Sequence, residues 1–375
     1  MMWPDTGGNT EMRSFLEHLR LRKTVSNIPM GRRRYLILYQ IIRDLDSIKY
    51  EVPDDFLTLE HYRRVVKQLD WTSSPGYPYL KQGNTTNGQM FGVVNGVPKE
   101  SIVQSTYMMV MHKIKNRIAD PIRVFVKPEP HSLKKIACSR HRTISGVSVL
   151  DCLIDAMLFG EMNEKMTLNW HQIPPKIGWT LLYGGWKIVP QINVHAADKT
   201  AWDWTVQPWM VDALKYVRIG LCQNPTEQWL ELVDWRYSEI FENARFIFSN
   251  GIIMKQKFKG FMKSGCYNTI SDNSLAQMIL HYRICDELNL PVGSLWSMGD
   301  DTLQTYQPPD YFEALSKHCI LKQVEKRAEF AGMLFRGVVV EPSYTNKHAY
   351  KLLHLNEKFR EELHLAYSLL YPVSY

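Results

Sequence analysis

The run Ser294-Leu295-Trp296-Ser297-Met298-Gly299-Asp300-Asp301-Thr302-Leu303-Gln304-Thr305-Tyr306 reads as two short strands meeting at a tight Gly-Asp-Asp turn. Gly and Asp are the residue types such a turn favours for backbone reasons alone. By composition, a chain of this length holds that triplet by chance about one time in fifteen. The hairpin therefore gains its meaning from what lies upstream of it.

Upstream, Gln191 to Asp198 alternates Ile192, Val194 and Ala196, a strand pattern that ends on an acid. Pro208 then opens a helix expected to run to about Leu221. Phosphoryl transfer by two divalent ions about 4 Å apart needs carboxylates that converge from different strands. An acid ending one strand and an acid pair in a neighbouring hairpin turn meet that need.

Between the two acidic sites stands Ser264-Gly265-Cys266-Tyr267-Asn268-Thr269-Ile270-Ser271-Asp272-Asn273. Gly265 permits a close backbone approach, and a helix is expected just after it, over residues 268–289. Thr269 and Asn273, four apart, share one face of that helix, while Leu275, Met278 and Tyr282 face a core. A polar face beside an acidic pocket suits hydrogen bonding to a ribose 2′-hydroxyl, with Asp203 well placed to join. On local chemistry alone, a capped helix with a polar outer face explains the same residues equally well.

Taken in order, Asp198-x4-Asp203, Ser264-Gly265-x3-Thr269-x3-Asn273 and Gly299-Asp300-Asp301 resemble the A, B and C motifs of viral RNA-dependent RNA polymerases. The separations agree as well (264 − 198 = 66 and 300 − 264 = 36). Arg123-Val-Phe-Val-Lys127-Pro-Glu129-Pro-His131, followed by Arg140-His-Arg142-Thr-Ile144, resembles the F motif in its sobemovirus-like and luteovirus-like form. Thr72-Ser-Ser74-Pro75-Gly76-Tyr77-Pro78 is similar to the G motif. Lys322 falls where the D motif has a lysine, and Glu329-Phe330-Ala331-Gly332 where the primer-grip E motif begins. Ala331 and Gly332 depart from the cysteine and serine more usual there.

The resemblance implies an α/β right hand: fingers from two chain segments, a palm with an antiparallel sheet, and a thumb. The implied division is 1–185 for the N-terminal segment and fingers, 186–225 palm, 226–262 a fingers insertion, 263–335 palm and 336–375 thumb. Only 70 residues follow the hairpin (375 − 305), so either the thumb is small or the sequence is a piece of a longer protein.

By the same resemblance, Asp198, Asp300 and Asp301 ligate two Mg2+ ions, with Mn2+ as a substitute. Asp203, Ser264, Gly265, Thr269 and Asn273 select a ribonucleotide. Lys127, Arg140 and Arg142 neutralise the incoming triphosphate, Arg being suited to bidentate phosphate contact. Ser74, Pro75 and Gly76 meet the template, and Lys322 protonates the leaving pyrophosphate, with Lys317 and Lys326 as neighbouring candidates. The partners implied are template and product RNA, NTPs, and a protein primer or viral replication proteins.

Bulk properties agree. Lys and Arg exceed Asp and Glu by seven (45 − 38), a moderate basic excess that suits a polyanion. With 45% hydrophobic and 22% charged residues the chain is a packed globular protein rather than a disordered one. The six cysteines include no C-x-x-C pair, so free thiols in a reducing compartment are expected, as in a host cytoplasm. No signal-peptide core and no apolar run of ~18 residues is present, so no intrinsic membrane span is expected and any membrane association would run through partners.

Three other functions compete with this reading. A reverse transcriptase shares the palm acids but usually carries a bulky residue where this chain has Asp203 and Asn273. A non-catalytic RNA-binding scaffold would keep the fold without needing the acids. A P-loop ATPase is disfavoured because no G-x4-G is followed by the required lysine: Gly83 to Gly88 is followed by Gln89, Gly260 to Gly265 by Cys266 and Gly332 to Gly337 by Val338.

Overall fold

The computed structural model describes residues 1–25, 27–354 and 356–371. In chain order its strands are β1 (Ile122–Val126), β2 (Thr143–Gly146), β3 (Val194–Lys199), β4 (Arg245–Ile247) and β5 (Ile253–Lys255). Then come β6 (Leu295–Met298), β7 (Asp301–Thr305), β8 (Leu321–Glu325), β9 (Ala328–Phe330), β10 (Met333–Arg336) and β11 (Val339–Pro342).

Alternation along β6 builds the centre. Leu295 joins the main hydrophobic core and the Ser297 hydroxyl donates to Ser274 O at 3.0 Å, both on the helix side. Trp296 and Met298 point the other way, into a second core. The sheet order is β6-β7-β3-β8, every pairing antiparallel, which is the expected palm sheet. A second sheet, β2-β1-β4-β5, joins strands from both sides of β3 in the chain, with β1 and β4 parallel. The third, β11-β10-β9, packs against the palm through the rings of Trp179, Trp296 and Phe330, with centroids 5.6–6.0 Å apart.

The Pro208–Leu221 helix begins on its proline, whose missing N–H costs nothing in the first turn. The Thr269–Glu287 helix is enclosed by β6 and the helices Arg34–Asp44, Pro208–Leu221 and Pro309–Ser316. Every residue from Ser271 to Cys285 is buried, which removes the alternative of a capped helix with a polar outer face. Its polar groups are paired internally. Arg218, fully buried, donates to Asp272 at 2.8 Å, Ser271 at 2.8 Å and Asn163 at 3.2 Å. Asn268 precedes the helix without capping it and accepts from Asn163 instead.

Two contacts cross the expected division. The Arg34–Asp44 helix packs on the Thr269–Glu287 and Pro208–Leu221 helices, and Tyr282 donates to Asp44 at 2.9 Å. The β10–β11 hairpin crosses the 335/336 boundary as one continuous sheet.

Candidate active site

Gly299 has φ 63°, and Asp300 beside it keeps a negative φ. That is the backbone of a type II′ hairpin turn, whose first position favours glycine. The turn closes β6 onto β7 with Met298 opposite Asp301. On the other side of β7, Ala197 pairs with Thr302, so one further step of the register sets Asp198 of β3 beside Asp301.

Next to β8 the register slips: Asp198 pairs with Gln323 but Lys199 with Leu321, leaving Lys322 as the extra residue of a bulge. Bulges re-aim side chains, and the Lys322 ammonium is turned onto Asp198, with which it forms an ion pair. Asp198, Asp301, Gln323, Glu329 and Tyr344 line the groove between this sheet and the β9–β10 turn. That turn is made by Ala331 at φ 50° and Gly332 at φ 74°, which accounts for glycine at the second position.

Burial, and then the negative charges of Asp300 and Asp198, push the Asp301 carboxyl up to about 6. The smaller part of that rise comes from carboxylates that lie within electrostatic reach of one another. Beneath the turn lies Lys199, 5% exposed, whose ammonium donates to Thr302 Oγ1 at 2.9 Å and lies 3.4 Å from Asp300 O. Burial holds its pKa below the usual lysine value. Three carboxylates on neighbouring positions form an all-oxygen donor set, which fits hard divalent cations. Among the described residues the side chains are not gathered at metal-ligating distance, Asp198 being turned to Lys322.

The ribose candidates divide. Asn273 Nδ2 donates to Asp203 Oδ1 at 2.9 Å, and its own oxygen accepts from Trp202 Nε1 at 3.0 Å. Burial raises the Asp203 carboxyl to about 6, against the lowering effect of the Asn273 hydrogen bond. The structure thus brings Asp203 and Asn273 together. Thr269 and Ser264 fasten the loop instead. The Thr269 hydroxyl lies 2.6 Å from Lys263 O and 2.8 Å from Cys266 O, and Ser264 Oγ accepts from Ser145 N at 3.1 Å. A Cβ on Gly265 would lie 2.5 Å from Ser145 O, so only glycine lets this loop sit against β2.

On the basic side, Glu129 gathers the cations. Lys127 lies 3.3 Å and Arg142 3.0 Å from its carboxylate. Lys347, from the Thr345–Leu353 helix, lies 3.2 Å from it. Arg140 stands apart, within electrostatic reach of His18. Of the template candidates, Ser74 is exposed while Pro75 and Gly76 are buried. Pro75 O accepts from Val149 N at 2.9 Å, and a Cβ on Gly76 would lie 2.8 Å from Val147 O. Those two residues seat the loop, and only Ser74 offers a surface.

Sequence reading missed Lys199, Glu129 and Lys347. For Lys199 a signal existed: strand alternation puts it on the face opposite Asp198, where a lysine is unusual. Glu129 stands inside the F-like run but was given no role there, and nothing local distinguishes Lys347 from a solvated charge.

The model of the viral RNA-dependent RNA polymerase family matches residues 59–323. The chain is 31% identical over 320 residues to the replicase polyprotein P2AB of Cocksfoot mottle virus, covering 79% of this chain and 31% of that protein. It is 28% identical to protein P1-P2 of Potato leafroll virus, covering 78% of this chain and 30% of that protein. It is 25% identical to the RNA-directed RNA polymerase of Mushroom bacilliform virus, covering 83% and 80% respectively. The chain thus spans about a third of the length of the Cocksfoot mottle virus and Potato leafroll virus proteins.

Proposed function

The chain belongs to the viral RNA-dependent RNA polymerases, and from that premise we propose that it builds RNA from nucleoside triphosphates on an RNA template, copying a positive-strand viral genome. The observation that carries this reading is the placement of Asp198, Asp300 and Asp301 side by side at the ends of adjacent antiparallel strands. The Asp203–Asn273 pair lies within electrostatic reach of Asp300.

The family generally uses divalent metal ions. In this reading Asp198, Asp300 and Asp301 hold two Mg2+, for which Mn2+ can substitute. When bound, these ions activate the attacking hydroxyl and balance the charge on the leaving pyrophosphate. Lys127 and Arg142 bind the polyphosphate, Arg142 with its planar fork. Asp203 and Asn273 hold the ribose 2′-hydroxyl and so admit NTPs over dNTPs. Lys322, re-aimed by its bulge, delivers a proton to the departing pyrophosphate. All six cysteines are free thiols, which supports work in the reducing host cytoplasm. No described helix is long and apolar enough to cross a membrane.

The test is primer extension on an RNA template with Mg2+, comparing the purified chain with Asp300→Asn. We expect the variant to lose at least about 1,000-fold in synthesis and to keep its RNA affinity, since it removes charge at the metals only. Equal synthesis by both proteins would defeat the assignment. Equal use of dNTPs and NTPs would favour a reverse transcriptase.

A further inference from the structure

Glu129 is 7% exposed and faces three cations with a single carboxylate: Lys127, Arg142 and Lys347. Two of these come from the strand and loop around β1 and β2, as sequence reading expected. The third arrives from the Thr345–Leu353 helix, more than 200 residues away in the chain. One negative charge cannot neutralise three positive ones, so the cluster keeps a surplus of two. The surplus is reinforced, because Lys135 lies within electrostatic reach of Arg142, Lys322 and Lys347. Arg142 is also within reach of Asp203, and Lys322 is paired to Asp198, so the positive field opens onto the same space as the acids.

We propose that Lys347 is a further polyphosphate-binding cation of the active site, delivered by the C-terminal region and held in place by Glu129. This rests on the polymerase reading above. The ligand chemistry is that of a nucleoside triphosphate, a compact anion of roughly four charges, which matches a cation cluster with one buried counter-ion. Glu129 serves as the positioning residue: it keeps three mutually repelling cations at one point before the nucleotide arrives.

The experiment measures KM for the incoming NTP, kcat and RNA Kd for the purified wild type, Lys347→Gln and Lys347→Arg. Lys347→Gln should raise KM for NTP about 5- to 20-fold with RNA Kd within about 2-fold, and Lys347→Arg should restore most of the loss. Thermal melting should be nearly unchanged, because Lys347 is a partly exposed member of the cluster. An unchanged KM in Lys347→Gln overturns the proposal while leaving the polymerase reading standing. A parallel loss of RNA affinity overturns it too, making Lys347 an RNA-backbone contact. If the wild type itself adds no nucleotide to the primed RNA, the underlying reading fails and the proposal falls with it.

Discussion

The Lys199 ammonium donates to Thr302 Oγ1 at 2.9 Å from directly beneath the turn that carries Asp300. It is a buried cation under three carboxylates, and its second and third neighbours are the carbonyls of Ala197 and Asp300, each at 3.4 Å. The bond ties β3 to β7 at the point where the acids must stay together despite their mutual repulsion.

Replacing Lys199 by Met keeps the stem and removes the charge. Thr302 and two carbonyls lose a donor, and the acids lose the buried charge nearest them. Denaturant unfolding should show a loss of about 2–4 kcal/mol, and RNA synthesis should fall at least 100-fold. A stable, active Lys199→Met protein would remove this residue from the account.

Asp203→Asn tests the ribose pocket and carries a pH signature. The Asp203 carboxyl rises from 3.8 to about 6 in the folded chain. Below the lower value both folded and unfolded chains are protonated and nothing is lost. As pH rises toward 6 the unfolded chain ionises first, so the wild type loses stability relative to the variant. Above about 6 the deficit is constant, at most about 3 kcal/mol. Urea midpoints should therefore favour Asp203→Asn at pH 7.5 and converge near pH 4. NTP over dNTP preference should drop more than 10-fold; identical midpoints at both pH values would contradict the raised pKa of the half-buried Asp203 carboxyl.

Gly265→Ala places a methyl 2.5 Å from Ser145 O and 3.2 Å from Gly146 Cα, both backbone atoms that have no room to move apart cheaply. The loop should separate from β2, costing about 2 kcal/mol and most of the synthetic activity. Gly31→Ala, where nothing lies within 4 Å, is the matched control and should behave as wild type. Similar results for the two variants would show that the loop contact does not matter.

Arg218→Met leaves Asp272 buried without its partner at the start of the helix that carries Asn273. Unfolding measurements should show a loss of about 3–5 kcal/mol. Adding Asp272→Leu should recover a substantial part of it, since the uncompensated charge is then gone. A double variant as unstable as the sum of the singles would mean that the two residues act independently.

How far these features could be read in advance depended on how local their cause is. The tight turn at Gly299-Asp300, the strand ending on Asp198 and the proline-led helix at Pro208 each follow from a few neighbouring residues, and each was legible. That Asp203 and Asn273 belong to one pocket was implied by the resemblance. The surroundings of the Thr269–Glu287 helix were not. Periodicity reveals a face only when one side meets water, and this helix is enclosed all round. Its Asp272 reads as a surface charge until Arg218, 54 residues away, is seen against it.

From sequence alone came the order of the motifs, the turn chemistry and the acids, because those depend on residue type over short spans. Tertiary structure alone decided which charges meet: Lys199 under Asp300, Lys322 bulged onto Asp198, and Lys347 brought to Glu129. A charge has the same local pattern whether it ends in water or against a partner; only the folded path of distant segments determines its neighbour, and with it the field the site presents.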